Sequence, residues 1–291
     1  MFEQPPREEE TQRTGSPERL MKALKVLVEM GVKNVKVEGE ENLNDLPPDA
    51  KVIVVTSHIS DVDVPLAAYG VGEKLNVAIT TDSFQHHLTE NPISKIGFQI
   101  AGQDNFLPIQ YDRKTGHGRF NPSDFDAMQT ELNEGKAIVM AGHAPSIEKD
   151  PDKVAWHLPD KGTIGSAYLA ELSGAVLVPV AVDIESETPT GMGADSVMRG
   201  LKNMVQTMRH KPDARVIIGK PIILPHIEGI EGFGNLSSNK DAPAENRRAE
   251  FRRIRTELET ASDEIMGQLA SLLPPSKRGV WGESEAEGVA A

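Results

Sequence analysis

The stretch Lys51–Asp63, KVIVVTSHISDVD, constrains this chain more than any other. Val52, Ile53, Val54 and Val55 form an uninterrupted β-branched block, the pattern of a strand buried on both faces as in a parallel sheet. The block ends abruptly in Thr56, Ser57, His58, Ser60, Asp61 and Asp63. Ligands of open α/β sheets bind outside the carboxyl ends of the strands, so this polar end predicts an active-site edge.

The rest of the chain repeats the same alternation. Ser16 is placed to cap a helix with Pro17 in its first turn, and Leu20, Leu24, Leu27 and Met30 recur at helical spacing until Gly31. Short buried strands are predicted at Leu75–Thr80, Phe106–Tyr111, Ala137–Ala141, Val176–Val182 and Arg215–Leu224. Helices are expected between them, around Val64–Gly72, Ser123–Gly135, Ile164–Leu172 and Val197–Met208. A long one spans Ala244–Leu272, with Phe251, Ile254, Leu258, Ile265 and Leu269 on one apolar face. This rhythm predicts an α/β fold: a mixed, mostly parallel central sheet flanked by helices on both faces, with an N-terminal helix and a long C-terminal helix. The expected organisation is a disordered tail over 1–15, a single domain over 16–273 and a disordered tail over 274–291.

Composition excludes several classes. The chain has 291 residues, enough for one large α/β core, and no apolar run approaches the roughly 20 residues that span a bilayer. There is no Cys, which removes disulfides, thiolate nucleophiles and Cys-based metal sites. The acidic, polar start MFEQPPREEETQRTG has none of the features of a signal peptide, so a cytoplasmic location is expected. The net charge of −13 argues against nucleic acid as a partner and against broad adhesion to anionic membranes.

His58 and Asp63 stand in the spacing His-x4-Asp. On a turn entering a helix, that offset brings a carboxylate back toward the imidazole. A carboxylate on one ring nitrogen fixes the tautomer and raises the basicity of the other, which then removes a proton from an alcohol. The same His also serves as a helix cap in many turns, so the spacing alone does not decide between the two roles.

Several further blocks arrive in an order that resembles the glycerolipid acyltransferase superfamily, which includes glycerol-3-phosphate and lysophosphatidate acyltransferases. Val35–Leu43 (VKVEGEENL) resembles that family's lead-in, and Val52–Asp63 its strand followed by His-x4-Asp. Asn105–Arg113 (NFLPIQYDR) resembles the second block, Ala137–Ser146 (AIVMAGHAPS) takes the place of the third, and Lys161–Val182 (KGTIGSAYLAELSGAVLVPVAV) resembles the fourth. The resemblance implies acyl transfer from acyl-CoA or an acyl carrier protein to a hydroxyl of a small-molecule or lysolipid acceptor, with no cofactor. His58 would be the general base, Asp63 its orienting acid and Arg113 the holder of an acceptor phosphate. Ser57, Gly142, His143 and Lys161 would complete the substrate-binding set. The chain departs from the family where Ser57 replaces the usual Asn, and where Met140–Ser146 replaces Phe-Pro-Glu-Gly with a following Arg. His143, Lys149, Lys153 and Lys161 are the candidates to stand in for the missing charges.

Two other readings use the same residues. A metal-dependent hydrolase would draw on His58, Asp61 and Asp63 with His86, His87, His143 or His157, although consecutive His86 and His87 diverge on either a strand or a helix. A non-catalytic member of the same fold, binding acyl groups or a partner protein, is the reading that the altered third block favours. A peripheral membrane contact would fall on a groove around Ile93–Ile100 or on the Val197–Met208 helix, although an apolar stripe at helical spacing is first a core face.

Overall fold

The computed structural model describes residues 16–60, 62–82, 101–102, 105–109, 111–112, 117–118, 122–143, 157–185, 211–235 and 243–282. The predicted helix Val197–Met208, the groove Ile93–Ile100 and the tail 1–15 lie outside the described residues.

A seven-stranded sheet organises the described residues, in the order β1-β9-β8-β2-β7-β3-β4. Its strands are β1 (Val35–Glu38), β2 (Val52–Thr56), β3 (Val77–Asp82), β4 (Phe106–Ile109), β7 (Ala137–Ala141), β8 (Val176–Ile184) and β9 (Ala214–Ile218). A separate small antiparallel pair joins β5 (Tyr111–Asp112) to β6 (His117–Gly118). From β8 across to β4 every pairing is parallel, β9 runs antiparallel to β8, and β1 is parallel to β9. The sheet is therefore mixed and mostly parallel, as the alternation of strands and helices predicts.

β2 sits between β7 and β8, and its side chains alternate between two cores. Val52 and Val54 pack with Leu20, Leu24 and Val28 of α1 (Pro17–Gly31) and with Leu66 of α2 (Asp63–Val71). Ile53 and Val55 face the other way, into a cluster with α3 (Pro122–Asn133), α4 (Gly165–Ser173) and α5 (Ala244–Leu272). That two-sided burial explains why the strand carries no polar residue before Thr56.

The local signals work largely as expected. The Ser16 hydroxyl accepts from the Arg19 amide at 3.3 Å and starts α1. Gly174 ends α4 in the left-handed region at φ +64°, a conformation that favours glycine. Two expectations are corrected. The buried stripe of α1 is Leu20, Leu24 and Val28, while Leu27 and Met30 are 45% and 46% exposed, because successive four-residue steps keep one face on α2 and the sheet. The chain also stays ordered past Pro274, through two 3₁₀ turns at Pro275–Lys277 and Gly279–Gly282.

Those turns are anchored by polar contacts. The Lys277 ammonium donates to Asp183 Oδ1 at 2.5 Å and to the Ile184 carbonyl at 2.8 Å. Its own carbonyl accepts from the Leu158 amide at 2.9 Å, and the Trp281 indole donates to the Pro159 carbonyl at 2.9 Å. Arg215 reaches the other Asp183 oxygen at 2.8 Å. Burial pushes the Asp183 carboxyl up, but the two cations outweigh it and hold it below its ordinary range.

Leu269 on α5 is fully buried beside Gly142, whereas Val26 on α1 is 56% exposed. Leu269→Ala is expected to cost about 2–5 kcal/mol. Val26→Ala is expected to stay within about 0.5 kcal/mol of wild type. Urea unfolding measures both, and equal midpoints would contradict this assignment of the core.

Candidate active site

The site is built where β2 and β7 run out of sheet. Beyond the last paired residues, Thr56 and Ala141, the Gly142 amide still donates to the Thr56 carbonyl at 2.9 Å. One residue further, the two chains are joined by a side chain: the His58 amide donates to His143 Nε2 at 2.9 Å. The Gly142 carbonyl in turn accepts from the Thr163 amide at 2.8 Å, which ties the lead-in of α4 to the same edge. A side chain at 142 would not fit, since its Cβ would fall 2.9 Å from Val55 Cγ1 and 3.1 Å from Leu269 Cδ1.

The hydrogen bond expected between Asp63 and the His58 ring is replaced by an indirect arrangement. Asp63 opens α2, and its Oδ2 accepts from the amides of Ile59 at 2.7 Å and Ser60 at 3.0 Å, while Oδ1 accepts from the Ser60 hydroxyl. Those amides precede a helix and have no intrahelical partner, so a carboxylate in the first turn meets them before it meets the ring. His58 Nδ1 lies 3.2 Å from the Ser60 carbonyl. A carbonyl only accepts, so this hydrogen bond places the ring proton on Nδ1 and leaves the lone pair on Nε2. Asp63 thus orients His58 through the Ser60 turn. Ser60 is the residue that the His-x4-Asp reading passes over, although Ser60-x-x-Asp63 has the spacing of a capping box.

Burial sets the charges. It pushes His58 down from 6.5 to about 4, with nearby His143 acting in the same direction and the Ser60 carbonyl opposing them. Burial also pushes Asp63 up from 3.8 to about 7, against the Ser60 hydroxyl, the Ser60 and Ile59 amides and the more distant Lys277. At neutral pH the imidazole is therefore uncharged and Asp63 is close to half ionised.

The remaining predicted residues separate. Ser57 is fully buried and its hydroxyl oxygen accepts from the Val182 amide at 3.1 Å, so it fastens β2 to β8 rather than facing a ligand. His143 is buried and Lys161 is exposed. Arg113, Asp61, His86, His87, Lys149 and Lys153 lie outside the described residues. Among the described residues no group of three or more His, Asp or Glu is disposed to hold a metal ion. His143 Nε2 and both Asp63 oxygens are already engaged as hydrogen-bond acceptors. No described helix is long and apolar enough to cross a membrane.

These charges make stability depend on pH in opposite senses. Between about pH 4 and 7 folded Asp63 keeps a proton that the unfolded chain has released, so its contribution is present below the unfolded value of 3.8 and lost toward 7. The stability margin of wild type over Asp63→Asn should shrink as pH rises through that window. For His58 the unfolded chain takes up a proton first, so the margin over His58→Ala should shrink as pH falls from 6.5 toward 4. Urea titrations of the three proteins across pH 4–8 check both signs, and margins independent of pH would contradict the burial of these groups.

No family model matches the chain, and no curated protein matches it by sequence. Among solved structures it is similar to the 1-acyl-sn-glycerophosphate (LPA) acyltransferase PlsC from Thermotoga maritima. The two are 17% identical with a TM-score of 0.44, over 89% of this chain and 83% of that chain.

Proposed function

We propose that this protein is an O-acyltransferase of the glycerolipid type. It takes a fatty acyl group from an acyl thioester, acyl-CoA or acyl carrier protein, and passes it to a hydroxyl of glycerol-3-phosphate, a lysophospholipid or a related acceptor. One observation carries the reading: His58 stands at the carboxyl end of the central strand as a neutral imidazole, its proton held on Nδ1 by the Ser60 carbonyl. Its Nε2 has no hydrogen-bond partner among the described residues. The sequence blocks quoted above, in their order along the chain, supply the acyl-transfer context.

In this reaction Nε2 takes the proton of the acceptor hydroxyl as its oxygen attacks the thioester carbonyl. The C–S bond breaks when the tetrahedral intermediate collapses, and the imidazolium returns the proton to the departing thiolate. No acyl-enzyme is needed, and with no Cys the chain offers no thiol to carry one. Gly142 and His143 follow β7 and hydrogen-bond to the main chain of Thr56 and His58, while Arg113 and Lys161 are assigned to the acceptor's phosphate, for which Arg offers a planar forked cation. Asp63 supports the imidazolium when it is itself ionised, so the rate should climb as Asp63 loses its proton.

The test is transfer of a radiolabelled acyl group from acyl-CoA and acyl carrier protein donors to glycerol-3-phosphate, lysophospholipids and simple alcohols. Wild type is expected to transfer, with kcat/KM rising through about pH 7. His58→Ala should lose about 10²–10⁴-fold, the usual worth of a general base. Asp63→Asn should lose the rise with pH. No transfer by wild type from any donor, or a full rate in His58→Ala, would overturn the proposal.

A further inference from the structure

The ladder between β2 and β7 contains one rung that is not main chain. Thr56 pairs with Ala141, the Gly142 amide donates to the Thr56 carbonyl at 2.9 Å, and then His143 Nε2, not a carbonyl, accepts the His58 amide at 2.9 Å. A buried amide without a partner is costly, and at this point the β2 chain is leaving the sheet for the Ile59–Ser60 turn. The imidazole satisfies that amide while freeing the main chain of His58 from sheet geometry. His143 is only 3% exposed and its ring centroid lies 6.5 Å from that of His58. Its tautomer follows from the contact: an accepting Nε2 carries a lone pair, so a neutral ring has its proton on Nδ1.

We propose that His143 is a positioning residue for His58, acting on the main chain of the base rather than on substrate. Two hydrogen bonds then define where the His58 ring projects: His143 Nε2 on its amide and the Ser60 carbonyl on its Nδ1. The third block of this chain thereby contributes a hydrogen-bond acceptor of fixed reach where the family block has a Glu and an Arg. This role differs from the acceptor-binding role that the sequence pattern assigns to His143. Only its kinetic consequence rests on the acyl-transfer reading, because the hydrogen bond itself can be observed without turnover.

The experiment has a spectroscopic and a kinetic arm. In uniformly ¹⁵N-labelled full-length protein, a scalar coupling across the hydrogen bond should link the His58 amide nitrogen to His143 Nε2, and the His58 amide should exchange slowly with solvent. In His143→Ala the coupling vanishes and His58 amide exchange accelerates. In His143→Gln, whose side-chain oxygen reaches the same place as an acceptor, the protection returns. With acyl transfer in hand, His143→Ala should lower kcat by about 10²-fold, the scale of a small misplacement of a reacting group, with acceptor KM unchanged. His143→Gln should recover most of that loss. A proton found on His143 Nε2, or a His58 amide whose exchange ignores the His143→Ala change, overturns the proposal. So does a variant that raises acceptor KM at constant kcat, which would make His143 a substrate ligand. If wild type transfers no acyl group, the coupling and the exchange rates still decide the positioning role, so the two failures are distinguishable.

Discussion

Burial of β2 on both faces is the constraint from which the site follows. Val52 and Val54 belong to the core beneath α1 and α2, and Ile53 and Val55 to the core beneath α3, α4 and α5. Each residue of the strand is almost wholly removed from water. A strand so enclosed offers polar chemistry only where it ends, and its neighbours end at the same edge. Ser57 holds that end to β8 through the Val182 amide, and Gly142 and His143 hold it to β7. His58 is thus the first residue whose ring projects from a braced backbone.

The second consequence of burial is electrostatic. Removing His58 and Asp63 from water disfavours the charged form of both, which lowers the one to about 4 and raises the other to about 7. At neutral pH the imidazole is thereby uncharged and Asp63 stands between its two forms, with Asp63 holding the turn and the turn holding the ring. Lys277 completes the field from the far end of the chain. It neutralises buried Asp183 at the end of β8, and its charge also reaches Asp63. The C-terminal turns are therefore part of the edge that carries the site.

Much of this was legible in the residues. An unbroken β-branched run ending in polar residues specifies a central strand and its polar end, and Ser16-Pro17 and Gly174 mark helix boundaries through backbone chemistry that acts locally. The long helix α5 shows its inward face in Ile254, Leu258, Ile265 and Leu269. Side-chain partnership was less legible. The spacing His-x4-Asp says that a carboxylate returns toward its own turn, but the ring and two free amides compete for it there, and the amides win. His143 reads as a substrate ligand from its block alone, and its hydrogen bond to the His58 amide, 85 residues away in the chain, is something no local pattern records. Pro274-Pro275 reads as a break, whereas the ion pair of Lys277 with Asp183 restores order just beyond it.

The fold presents His58 as a neutral imidazole with its proton on Nδ1 and its lone pair on Nε2. The most direct measurement of this state is a ¹⁵N NMR titration of the His58 ring from pH 8 to pH 4. An unprotonated Nε2 and a protonated Nδ1 are expected from pH 8 down to about 5, with the second proton arriving near 4. A proton on Nε2 at neutral pH, or titration at the ordinary value of 6.5, would contradict it.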